Sequence, residues 1–75
     1  MENYLNLHRN SGVASFEIGD NFIIVEFNDH SQYLYNYASC GAGCVEQMKS
    51  LAIAGAGLNS YISRTVKKLY ASKLR

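Results

Sequence analysis

FIIVEFNDHSQYLYNY, residues 22–37, decides the fold. Its first run, FIIVEF, is rich in β-branched and aromatic residues and places Ile23, Val25 and Phe27 on one side of a strand. NDHS supplies turn chemistry, and QYLYNY then sets Tyr33, Tyr35 and Tyr37 at alternate positions. Whether the two sets share a face depends on the turn. If Asp29–Ser31 form a three-residue turn, Asn28 pairs with Gln32 and Phe27 with Tyr33, and one face carries all six apolar positions. A two- or four-residue turn shifts the pairing by one and sends the tyrosines to the opposite face. The first register is the expected one, because it offers helices a continuous apolar surface and leaves Glu26, Gln32 and Asn36 outside. Tyr33 and Tyr35 then bury their rings, while Tyr37, near the strand end, is more open. The alternative for the row is a stacking platform for bases.

Working outward, GVASFEI (residues 12–18) alternates weakly, with Ala14, Phe16 and Ile18 on one side, and GDN at 19–21 turns the chain. Residues 1–11 show no clean period and are expected to be a loop or frayed N-terminus. After Tyr37 the period lengthens. Val45, Met48, Leu51 and Ala52 take helical spacing in a segment opened near Ser39 and closed by Gly55. Leu58, Tyr61, Ile62, Thr65, Val66, Leu69 and Tyr70 then form a wide amphipathic stripe, with Asn59 or Ser60 near its start as the candidate cap. Residues 1–75 thus read as one α+β domain: a three-stranded antiparallel β-meander followed by two α-helices packed on one sheet face.

These residues resemble the KTSC domain, a small domain named after the C-terminal extension of some lysyl-tRNA synthetases. That family's pattern L-x-V-x-F, five residues, then Y-x-Y is matched by Ile23, Val25, Phe27, Tyr33 and Tyr35. Its later glycine, aromatic-Asn pair and isoleucine correspond to Gly55, Leu58, Asn59 and Ile62. The resemblance covers roughly residues 11–70 and implies the same α+β domain. It implies no established activity; RNA binding has been suggested for the family from its attachment to a synthetase.

A chain of 75 residues forms one domain with a thin core, burying only roughly 60% of the surface that its unfolded form exposes. At 48% hydrophobic and without proline it is too apolar to be disordered. No apolar run is long enough to span a membrane, and MENYLNLHRN lacks the pattern of a signal peptide, so the cytoplasm is the expected compartment. Cys40 and Cys44 are too few for a disulfide framework, and small buried reduced thiols are expected.

Charge is divided along the chain. Residues 1–46 hold all six acids against a single base, Arg9, whereas residues 47–75 hold six bases and no acid. Arg64, Lys67, Lys68, Lys73 and Arg75 lie off the apolar stripe of the last helix. They make a candidate strip for RNA or another nucleic acid, with Tyr37 as a stacking neighbour. The plainer reading of the same residues is a solvated helix face suited to the helix dipole. A rival reading is a protein-interaction module, binding a protein partner or a second copy of itself. It would use an exposed edge strand or Phe22, Ile24 and Leu34 on the outer sheet face, which is unusually apolar.

Other motifs point to little chemistry. CGAGC has neither the four ligands of a structural zinc nor Cys-x-x-Cys spacing, and His8 and His30 have no supporting ligand pattern. The glycines at 41–43 and 55–57 lack the Lys and Ser/Thr of a P-loop. No cofactor, metal or catalytic residue is assigned, and a non-enzymatic module is expected.

Overall fold

Runs of β-branched and aromatic residues favour extended chain, and the turns between them set the sheet. The computed structural model describes residues 1–7, 12–66 and 68–75. In chain order its elements are β1 (Glu2–Asn3), β2 (Val13–Ile18), β3 (Phe22–Phe27), β4 (Gln32–Asn36), α1 (Tyr37–Cys40), α2 (Ala42–Ala54), α3 (Leu58–Tyr61) and β5 (Ser72–Lys73). A π-helical stretch, Ile62–Val66, continues α3. Among the described residues the sheet has five strands in the order β1-β2-β3-β4-β5, each neighbouring pair antiparallel. The α+β class holds, and the expected three-strand meander is the centre of a wider sheet.

The turn between β3 and β4 does span three residues, but one position earlier than expected. Phe27 N–H donates to the Ser31 carbonyl and His30 N–H to the Phe27 carbonyl, both at 2.9 Å, so the loop is Asn28–His30. Asp29 explains the placement, because its carboxylate accepts from the Ser31 N–H at 3.0 Å and the Ser31 hydroxyl at 2.6 Å. His30 closes the loop in the left-handed region at φ 70°. Ile23 therefore pairs with Tyr35 and Val25 with Tyr33, a slide of two residues from the expected register. An even slide keeps every side chain on its face. Tyr35 is 1% exposed and Tyr33 is half-buried.

A bulge corrects the reading of β2. Val13 pairs with Phe27 but Ser15 with Glu26, so one extra residue enters at Ala14. Val13 and Phe16 both reach the core, Ala14 does not, and Ile18 lies exposed at the strand end.

Val45, Met48 and Ala52 of α2 bury the expected face, and Leu51 is partly buried. Gly55 ends the helix at φ 76°, its N–H donating to the Leu51 and Ala52 carbonyls. At the other end, Asn36 and Ser39 form a reciprocal capping box that starts α1.

Two segments depart from expectation. Residues 1–11 were expected as a loop or frayed start, yet β1 pairs with β2 and Tyr4 is buried, its hydroxyl accepting the Leu58 N–H at 3.2 Å. That hydroxyl caps α3, which begins after Gly57, and neither Asn59 nor Ser60 does so. Residues 8–11 lie outside the described residues.

The final helix is also shorter than its stripe. Leu58, Ile62 and Val66 are buried, but the helical path ends at Val66, leaving Leu69 exposed. Thr65 and Val66 are poor helix formers, and the bare edge of β4 offers the chain a better set of partners. Ala71 N–H donates to the Leu34 carbonyl at 2.6 Å, Leu74 N–H to Gln32 at 2.8 Å, and Gln32 N–H to Arg75 at 3.1 Å.

Candidate nucleic-acid interface

The β5 edge gathers aromatic rings beneath a cation. Tyr70, just ahead of β5, lies with its ring centroid 4.8 Å from Tyr33 and 6.2 Å from Tyr35, the latter pair nearly perpendicular. Phe27 meets Tyr33 edge-on at 5.7 Å. Lys73 pairs with Tyr33 across the strands and holds its Nζ 5.8 Å from that ring's centroid. Burial, and then the neighbouring Tyr33 and Tyr70, push the Tyr35 hydroxyl up to about 12. Tyr35 is the sealed base of this cluster, while Tyr33 and Tyr70 remain half-buried at its rim.

The expected basic helix strip does not form, because the helix ends before most of its cations. Arg64 sits on the π-helical stretch at an open groove against α2, lined by Gln47, Leu51, Ser60, Tyr61 and Thr65. Lys68 follows the helical path, and Lys73 and Arg75 belong to the β5 edge. Lys67 lies outside the described residues. Arg64, Lys68, Lys73 and Arg75 are all exposed, and among the described residues none forms an ion pair.

Tyr37 is elsewhere. It leaves the strand as the first residue of α1, 40% exposed, and lies past the end of β4 opposite to the Lys73 pairing. Its hydroxyl donates to Glu46 Oε2 at 2.7 Å, which raises the tyrosine above its ordinary range. The same carboxylate accepts from Lys49 Nζ at 2.8 Å. The bonds from Lys49 and then Tyr37 hold Glu46 below the usual carboxylate range. Lys49 also donates to the Asp20 carbonyl at 2.9 Å. Lys49 Nζ also stands 6.0 Å from the Tyr37 ring centroid, but it is ion-paired with Glu46, whereas Lys73 beside Tyr33 and Tyr70 is not in an ion pair. Sequence periodicity missed Tyr70 as an aromatic partner because it counted that residue into the helix stripe.

The acids lie mainly away from the β5 cations. Glu2 and Glu17 are on β1 and β2, and Glu46 is on α2. Glu26 accepts from Gln32 Nε2 at 2.9 Å and lies 3.6 Å from His30 Nδ1. Asp29 is the exception: the Ser31 hydroxyl and N–H, and more weakly the Lys73 cation, hold it below its ordinary range.

The surface assigned to the rival reading also changes. Phe22, Ile24 and Leu34 on the outer sheet face are half-buried, and the two edge strands are only two residues long each. Leu5, Leu7 and Ile53 are far more exposed, at 67%, 64% and 66%. Leu5 and Leu7 lie by Gly55, two residues beyond Ile53 at the C-terminal end of α2, and Leu7 N–H donates to the Gly55 carbonyl at 2.8 Å.

Cys40 and Cys44, expected as buried reduced thiols, are half-buried against the core and joined by a disulfide. Gly41, at φ 94°, turns the chain between α1 and α2 and leaves the two Cα atoms 6.1 Å apart, within bridging range. His30 lies in the loop that opens β4 and the cysteines follow its far end. Among the described residues no group of three or more His, Cys, Asp or Glu side chains could hold a metal ion, and no helix is long and apolar enough to cross a membrane. No protein-family model, curated protein or solved structure matches the chain.

Proposed function

We propose that the chain is a non-enzymatic module that binds single-stranded nucleic acid along its β5 side. One observation carries this reading: Arg64, Lys68, Lys73 and Arg75 are exposed and form no ion pair among the described residues, and Lys73 stands over the ring of Tyr33, which packs against Tyr70. Exposed cations outside ion pairs neutralise phosphates with release of counterions, and adjoining tyrosine rims offer bases an aromatic surface. The resemblance to the KTSC domain, for which RNA binding has been suggested, supports the same reading. Fluorescence anisotropy with a short mixed single-stranded RNA tests it. Affinity should fall steeply with salt, and Lys73→Ala and Arg75→Ala should each weaken binding to all sequences alike and reduce the salt slope by about 1. Identical slopes for wild type and both variants would remove these residues from the interface.

Exposure of Leu5, Leu7 and Ile53 favours a second reading, a protein-interaction module that uses this apolar patch. Light scattering over a wide concentration range examines self-association, and Ile53→Ser should abolish any dimer found.

A further inference from the structure

Cys40 and Cys44 form a bonded pair that nucleic-acid binding does not use. We propose that this disulfide is a reversible exchange site for small thiols, attacked at Cys40 with Cys44 as the leaving sulfur.

Access comes first. Both cysteines are partly exposed at the edge of the core, and the chain between them is only Gly41, Ala42 and Gly43. A Cβ added at Gly41 or Gly43 would meet no heavy atom within 4 Å. That loop carries only hydrogens and one methyl group, so it sets no bulky side chain of its own in the path of a nucleophile.

The two sulfurs are unequal. Cys44 is the third residue of α2, a helix of 13 residues without a side-chain cap or an acid in its first turn. Val45 N–H is bonded to the Gly41 carbonyl at 3.2 Å, whereas the preceding N–H groups of α2 have no such helical partner. Negative charge developing on Cys44 is stabilised at this positive helix end. Cys40 closes a four-residue helix and has no equivalent support.

Opening the bond leaves its surroundings tied down. The Asn36–Ser39 capping box, the bond from Gly41 N–H to the Tyr37 carbonyl at 2.9 Å and the Tyr37–Glu46 bond at 2.7 Å involve neither sulfur. The dithiol form thus keeps the fold, as a cycling site requires.

In the reaction, an external thiolate bonds to Cys40 Sγ, the S–S bond breaks, and its electron pair leaves on Cys44 Sγ, which takes up a proton. A second external thiolate then bonds to the external sulfur of the mixed disulfide and releases Cys40 as a thiolate, which is protonated in turn. Two external thiols are oxidised to one disulfide and the protein is reduced to a dithiol; an external disulfide reverses both steps.

Glutathione is the probe. The intact chain is equilibrated without denaturant in buffers of varied reduced-to-oxidised glutathione ratio, quenched by fast alkylation and mapped by peptide mass. The protein should interconvert fully between disulfide and dithiol while its amide spectrum stays dispersed. In the first moments of reduction, glutathione should be found on Cys40 and the alkyl group on Cys44, in about tenfold excess over the reverse. Resistance to glutathione in the folded state would overturn the proposal, and so would loss of amide dispersion on reduction. An even split of adducts would overturn the assignment of Cys44 as the leaving sulfur.

Discussion

Both margins of the sheet are closed by strands of two residues, and their chemistry is opposite. On one side β1 leads into Tyr4, whose buried hydroxyl caps α3, and then into the exposed Leu5 and Leu7. On the other, Tyr70 enters a ring cluster and the chain ends in the exposed cations Lys73 and Arg75. Each margin is anchored by a tyrosine, one through a hydrogen bond to a helix end and the other through ring contacts. The difference shows that edge closure and surface chemistry are separable. Short strands limit edge-to-edge pairing on both sides, while the residues next to them make one margin apolar and the other cationic.

Removing the β1 anchor should have the largest effect. Tyr4→Ala is expected to cost about 3–5 kcal/mol in denaturant unfolding, and Tyr4→Phe about 1–2 kcal/mol through the unpaired Leu58 N–H. Should Tyr4→Phe unfold at the wild-type midpoint, that hydroxyl is not an anchor.

The ring cluster on the β5 side is probed with alkali. Because burial raises Tyr35 from 10.0 to about 12, the folded state favours its neutral hydroxyl. The resulting stability is fully present below pH 10 and lost as pH rises through about 12. The loss amounts to about 3 kcal/mol, and thermal melts in this window should show it for wild type but not for Tyr35→Phe. Equal alkaline slopes in the two proteins would contradict the account.

Gly55 links α2 to the apolar margin. A Cβ there would lie 2.6 Å from Leu5 Cβ in a left-handed backbone of φ 76°, so Gly55→Ala should cost about 1–2 kcal/mol and shift the amide signals of Leu5 and Leu7. An unperturbed Leu5 signal would break the contact. The smallest effect belongs to the cationic margin, where Lys73→Ala and Arg75→Ala should each change stability by less than about 0.5 kcal/mol. That near-neutrality is what allows a change in their binding to be read as a contact.

Much of the meander was legible because periodicity and an even register shift protect the face assignment. Ile23, Val25 and Tyr35 are core whether the loop is Asn28–His30 or one residue later. Gly55 was equally legible, since a helix that ends in glycine has a local cause. The Ala14 bulge was not, because it depends on the pairing of β2 with β3. The fate of residues 68–75 was hidden for a similar reason. Leu69 and Tyr70 extend the helical period, but the open edge of β4 draws the chain away, and that edge exists only once the sheet has formed. Four of the expected cations are exposed, yet their arrangement was misread with the helix. Spacing likewise gave no sign that Gly41 would bring Cys40 and Cys44 into bonding range.

The most direct measurement is an amide NMR titration of labelled protein with short mixed single-stranded RNA at low and at higher salt. The expected result is salt-sensitive shifts at Tyr33, Arg64, Lys68, Tyr70, Lys73 and Arg75, with the signals of Glu2, Leu5, Leu7 and Ile53 unmoved. No shifts at either salt, or shifts confined to the β1 margin, would contradict nucleic-acid binding on the β5 side.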